Sequence, residues 1–125
     1  MRRVVVLLVL VALAGCAWPL PGGIQQFVVF FRTDDATLSL EARSIVSQVV
    51  VAAHDFHPAK IEVEGHADGA LPQDAALADR RAEAVVKALE DGGIDPAIIG
   101  RHANIVATEA GIAAHQVIVR FHATP

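Results

Sequence analysis

Four hydrophobic patterns run along the chain, and they mark out its elements. Val4 to Ala12 is an unbroken apolar run of Val, Leu and Ala. Phe27-Val28-Val29-Phe30-Phe31 is a shorter run of β-formers, which predicts a strand covered on both faces. Arg32-Thr33-Asp34-Asp35 then reads as a polar turn. Beyond it the spacing becomes helical. Ser39 is a capping residue, Glu41 lies in the first turn, and Ala42, Ile45, Val46, Val49, Val50 and Ala53 share one face until Pro58 closes the segment. Ile61 and Val63 alternate with Glu62 and Glu64, which predicts a second strand with one wet face, ending in a loop at Gly65-His66-Ala67-Asp68-Gly69. Asp74 is the expected cap of a second helix, Ala75 to Glu90, and Gly92-Gly93 stops it. A third strand is expected around Asn104 to Ala107. A fourth runs from Gln116 to Phe121, with Val117, Val119 and Phe121 on one face. The order β-α-β-α-β-β defines an α/β (α+β) sandwich, two helices packed on a small mixed sheet.

The second helix contains one residue out of place. On a wheel of 100° per residue, Asp79, Arg80, Glu83, Lys87 and Glu90 gather on one arc, and Leu77, Ala78, Ala82, Ala84, Val85, Ala88 and Leu89 fill the other. Arg81 lies in the middle of the apolar arc. A guanidinium there either snorkels to water or is held by an acceptor. Asp68, at the C-terminal end of the second strand where ligands of open α/β sheets gather, is the nearest candidate. Two compatible readings follow. One is a plain Asp68–Arg81 salt bridge pinning loop to helix. The other is an opposed pair for a zwitterion, in which the carboxylate takes an ammonium and the guanidinium a carboxylate.

Composition narrows the function classes. The 125 residues suffice for one domain, and fourteen acidic against ten basic residues argue against nucleic acid as a partner. The single cysteine excludes an internal disulfide. It stands at the end of an N-terminal pattern: basic Met1-Arg2-Arg3, the apolar run, then Leu13-Ala14-Gly15-Cys16. A transmembrane anchor would need about 20 apolar residues, and the run stretches only from Val4 to Leu20 with Gly15 and Pro19 inside. Ordinary cleavage after Ala12-Leu13-Ala14 fits the small-x-small rule. Leu13-Ala14-Gly15-Cys16 also resembles the lipobox of bacterial lipoproteins, and this reading alone explains where the cysteine lies. It implies a signal peptide over residues 1–15, an acylated (palmitate-bearing) Cys16, and a short Pro- and Gly-rich tether over residues 16–24. Ala17 follows the cysteine where the resemblance would put Asp for inner-membrane retention, which favours the outer membrane.

Three segments in order carry a second resemblance. They are Phe27 to Phe31 with Asp35-Ala36-Thr37-Leu38, then Ile61-Glu62-Val63-Glu64-Gly65-His66-Ala67-Asp68, then Leu77-Ala78-Asp79-Arg80-Arg81-Ala82-Glu83-Ala84-Val85. They resemble the OmpA-like domain, which ends outer-membrane protein A and makes up most of the Pal-type peptidoglycan-associated lipoproteins. The domain would cover residues 25–123. The resemblance implies non-covalent binding of peptidoglycan through the diaminopimelate of its stem peptide, so that the protein tethers the outer membrane to the cell wall from the periplasm. Asp68 matches the aspartate that holds the amino group, and Arg81 the arginine that holds the carboxylate. Gly65 would let the loop turn, His66 would pack beside it, and Asp74 matches the asparagine that opens the helix.

The chain also departs from the family pattern. The loop after Asp68 is about two residues shorter than the family's usual spacing, the threonine before the aspartate is Ala67, and Ala114-His115-Gln116 stands where the family has Asn-Arg-Arg. The family's extra helix between the last two strands is expected to be missing. These differences keep an alternative open: an OmpA-like fold that has lost wall binding and serves as a protein-interaction subunit of an envelope complex, with other envelope proteins as partners. No nucleophile elbow, Ser-His-Asp order or phosphate loop is present, so no enzymatic activity is expected. Six histidines invite a metal, but His54 and His57 lack a completing ligand. No metal or cofactor is expected, and the histidines read as surface or loop residues.

Overall fold

A computed structural model of the protein describes residues 25–69, 72–106 and 114–123. The expected signal peptide, Cys16 and the tether all lie outside these residues, as does most of the connection between the last two strands (107–113). The elements follow the order β1 (Gln25–Phe30), α1 (Leu40–Phe56), β2 (Lys60–Asp68), α2 (Pro72–Asp91), a 3₁₀ turn (Pro96–Ile98), β3 (Ile99–Val106) and β4 (Gln116–His122). The sheet has the order β1-β4-β2-β3. β4 pairs antiparallel with both β1 and β2, and α2 carries the chain over to β3, which lies parallel to β2.

Both helices pack on the same face of this sheet. Val29, Ile61, Val63, Val117, Val119 and Phe121 point toward them and meet Val46 and Val49 of α1 and Val85 and Leu89 of α2. The registers Phe27↔Val119, Val63↔Val119 and Ile61↔Phe121 align these side chains in rows across the strands. Phe27 and Phe121 meet with ring centroids 5.3 Å apart at a tilt of 52°. The described residues therefore form two layers, and no helix among them covers the second face of the sheet.

That arrangement corrects the expectation that the first strand is covered on both faces. β1 is an edge strand, and Phe30, on the helix-free face, is 51% exposed. An apolar run does not distinguish a central strand from an edge strand whose second face is open. α1 meets its expectations. Ser39 Oγ accepts from the Ala42 amide at 3.1 Å, and His57 closes the helix in the left-handed region (φ 48°) just before Pro58.

α2 starts three residues earlier than expected. Pro72 is its first residue, where the missing N–H costs nothing, and Asp74 lies inside the first turn rather than at the cap. A carboxylate there still favours the positive end of the helix.

The loop expected at Gly65 is not a loop either. β2 continues in register with β3 as far as Asp68↔Val106, and the chain turns only at Gly69 (φ 105°). Gly65 serves a different purpose. A Cβ at this position would overlap the carbonyl oxygen of Ala78 and crowd the Ala82 methyl. Its bare α-carbon lets α2 approach the centre of the sheet and fixes the depth at which Arg81 sits.

Candidate functional site

Arg81 has no solvent exposure at all; it neither snorkels nor reaches a carboxylate. Its guanidinium is held by four backbone carbonyls from three parts of the chain. Nε donates to Asp35 O (2.8 Å) and Nη2 to Arg32 O (3.0 Å), both in the turn between β1 and α1. Nη1 donates to His66 O in β2 (2.9 Å) and to Ala114 O just before β4 (3.1 Å). The guanidinium carbon lies over the Phe31 ring, with Cζ 5.7 Å from its centroid. Burial pushes the guanidinium pKa down from its usual value, while the charges of Asp34, Asp68 and Asp35 push it back up. Carbonyl dipoles and these nearby carboxylates are what make a buried cation tolerable here.

Asp68 occupies the last position of β2, half-buried, two residues beyond the carbonyl that Arg81 holds. Among the described residues no ion pair joins Asp68 to Arg81, so the pinning salt bridge considered from the sequence is not formed. The two matched residues nonetheless meet at one end of the sheet, at the C-terminal end of β2. Asp74 lies beside Gly69 at the same end, where its carboxylate fills the space a Cβ on Gly69 would need. Ala67 is fully buried with Leu77 and Ala78 beneath this corner.

The turn between β1 and α1 completes the frame. Asp34 adopts a left-handed conformation (φ 55°), and Asp35 Oδ1 accepts from the Thr37 amide at 2.8 Å, which holds the Asp35 carboxyl below its usual pKa. A groove of about 420 Å³ borders the turn, lined by Phe31, Arg32, Asp35, Leu38 and Ser39. A larger groove of about 740 Å³ lies between α1 and α2, over Val46, Val50, Ala84 and Ala88, and contains none of the matched residues.

His66 is buried (6% exposed), but on the helix-free side of the sheet rather than beside the Arg81 guanidinium. Its Nε2 lies 2.6 Å from Glu64 Oε1. Glu64 also accepts from Arg120 and from Asn104 Nδ2, each at 3.3 Å. Glu62 pairs with His122 (2.8 Å) and His102 (3.3 Å). The two glutamates expected on a plain solvated face therefore knit β2 to β3 and β4, and three of the six histidines belong to this network. No group of three or more His, Cys, Asp or Glu among the described residues is arranged to hold a metal ion. The sequence offered no signal for Arg32, Asp35, His66 and Ala114 as clamp partners of Arg81, because they act through their carbonyls.

The open two-layer domain brings a buried arginine and an acidic strand end to one corner. The sequence profile of the OmpA family matches residues 30–121, and the chain belongs to that family. Solved structures agree in fold. The OmpA-like domain of FopA1 from Francisella tularensis superposes with a TM-score of 0.71 at 18% identity, over 80% of this chain and 73% of that one. The peptidoglycan-associated lipoprotein from Burkholderia pseudomallei gives 0.63 at 23% identity, over 76% and 88%. The cell wall anchor of the T6SS from Pseudomonas aeruginosa gives 0.66 at 18%, over 81% and 82%. Among proteins of curated function, none matches the sequence.

Proposed function

We propose that this chain is an outer-membrane lipoprotein whose periplasmic OmpA-like domain binds peptidoglycan non-covalently and so tethers the membrane to the wall. No chemistry is performed. The observation that carries the reading is the meeting of Asp68 and Arg81, the two residues matched to the family's ligand pair, at one corner of a family fold. Asp68 is the acceptor for the ammonium of diaminopimelate, and Arg81 belongs to the same site. Gly65 sets the depth of the helix behind it, and Asp74 supports the turn into α2. Two structural relatives bear names that place them at the wall, a peptidoglycan-associated lipoprotein and a cell wall anchor, which supports the same assignment here. Cys16 supplies the lipid anchor. No described helix is long and apolar enough to cross a membrane.

Co-sedimentation with purified diaminopimelate-type sacculi tests the reading. The full chain in detergent should pellet with sacculi, and Asp68→Ala, shown to be folded by circular dichroism, should remain in the supernatant. A second reading is favoured by one observation: the guanidinium of Arg81 is already engaged by four carbonyls. On that reading the fold is kept, wall binding is lost, and the domain is a protein-interaction subunit of an envelope complex. A folded wild type that stays in the supernatant would select it.

A further inference from the structure

The sheet ends in β3 on one side and in β1 on the other, and the two edges differ. β3 exposes Arg101 and His102, the kind of side chain that keeps an edge from pairing further. β1 has no such guard. Gln25-Gln26-Phe27-Val28-Val29-Phe30 carries no charge and no proline, and it pairs with β4 without a bulge. One bond fixes where its backbone groups point. The Phe31 amide donates to His115 O at 2.7 Å, toward β4. Successive residues alternate, so Val29 and Phe27 also turn their amides and carbonyls to β4, while those of Gln26, Val28 and Phe30 face outward. Among the described residues no strand takes them up. The side chains of the same three residues lie on the helix-free face, where Phe30 is 51% exposed.

Symmetry and charge decide which strand fits this edge. A second β1 laid antiparallel, with Val28 on the two-fold axis, faces Val28 with Val28 and Gln26 with Phe30 of the other copy. Every outward group of the strand then has a partner, because each facing pair exchanges two N–H···O bonds. A slip of one residue would set outward groups against inward ones and turn the two sets of helices to opposite sides. No charge is buried by the pairing. Val28 lies beside Ile118 of β4, so this apolar row runs on into the other copy. β3 in the same place would bring Arg101 and His102 against an uncharged edge and would propagate head to tail as an open filament. The helices set the strength of the contact. α1 packs over β1, and its flank away from α2 carries Gln48 and Asp55 beside a groove of about 440 Å³, with Glu41 at the same angle of the wheel. In the paired arrangement Asp55 of one copy comes to the height of Glu41 of the other, like charges at a wet rim that moderate the pairing.

We propose that the free edge of β1 is a self-recognition surface. Two copies pair through antiparallel β1 strands centred on Val28 and join their four-stranded sheets into one, with the helices of both on the same face. The corners that hold Asp68 and Arg81 then lie at opposite ends, outside the joint.

Sedimentation equilibrium of the full chain in density-matched detergent tests this, with salt at about 0.3 M to screen Glu41 and Asp55. Between about 1 and 100 μM protein, wild type should pass from one chain per particle to two. Val28→Lys sets two lysines against each other on the axis. With its fold checked by circular dichroism, it should remain a single chain throughout. Amide hydrogen exchange locates the contact without any substitution. The amides of Gln26, Val28 and Phe30 should slow by about tenfold or more over the same concentrations, while those on the free edge of β3 stay fast. A wild type that stays a single chain, a dimer that folded Val28→Lys leaves intact, or β1 amides that stay fast as the mass doubles would each overturn the proposal. If Val28→Lys does not fold, the mass and exchange pattern of wild type decide alone.

Discussion

Two residues set the geometry of the site, and neither acts through ordinary side-chain pairing. Gly65 matters for the atom it lacks. Replacing it with Ala drives a methyl into the Ala78 carbonyl, so Gly65→Ala should destabilise the domain by about 3 kcal/mol, at the severe end of overpacking. Urea denaturation would show it as a lower midpoint at unchanged slope. Arg81 matters for what it holds. Arg81→Ala removes the donor to four carbonyls and leaves a cavity beside Phe31. The expected loss is about 3 kcal/mol or more, also from denaturation. The sequence marked Arg81 through its position on the apolar arc of the helix. It could not reveal the acceptors, because carbonyls belong to every residue and those used come from positions 32, 35, 66 and 114. Asp68 was the acceptor that the strand end suggested, and it lies at the same corner without making the bond.

Among the elements, the helices were legible because an amphipathic stripe, a capping Ser39 and a Gly stop are local signals. β4 was equally plain, with Val117, Val119 and Phe121 all buried on one face. The order of strands was not legible, and so neither was β1 as an edge. Nor was the use made of the helix-free face, where Glu62 and Glu64 join three strands. The Glu62 carboxyl lies below its usual pKa of 4.5 chiefly because His122 hydrogen-bonds to it, with partial burial opposing. At Glu64 burial is the largest influence and raises the pKa, yet the hydrogen bonds from His66, Asn104 and Arg120 together outweigh it. Folded values below unfolded ones mean that the unfolded chain binds these protons first. The network's contribution is therefore complete above the usual pKa of 4.5 and is lost as pH falls through the depressed values. A Glu62→Gln, Glu64→Gln variant should be less stable at neutral pH and should lose less on acidification. Thermal melts across an acid series would read this as a shallower fall in melting temperature. An acid limb identical to wild type would show that the network contributes nothing. The exposed Arg101–Asp79 pair at 3.2 Å should matter little by comparison.

At the scale of the whole molecule, the proposed function needs an anchored N-terminus joined to a wall-binding domain. Net charge remains −4 for the full chain, and removing Arg2 and Arg3 with the signal peptide would leave eight basic residues against fourteen acidic ones. Such a domain is repelled by anionic headgroups, so on the proposed reading attachment would rest on acyl chains at Cys16. Cys16→Ser should move the protein from the membrane fraction to the soluble periplasmic fraction, measured by fractionation and immunoblotting. Unchanged membrane retention would point to an anchor other than acylation. On the proposed function, the wall is held through the amine of its diamino acid at Asp68. Competition tests it most directly: protein already bound to sacculi is challenged with free meso-diaminopimelate, and with glutarate as a diacid lacking the amines. Diaminopimelate should release the protein in proportion to its concentration, and glutarate should not. Protein that stays on the sacculi under both, or that is released equally by both, would contradict it.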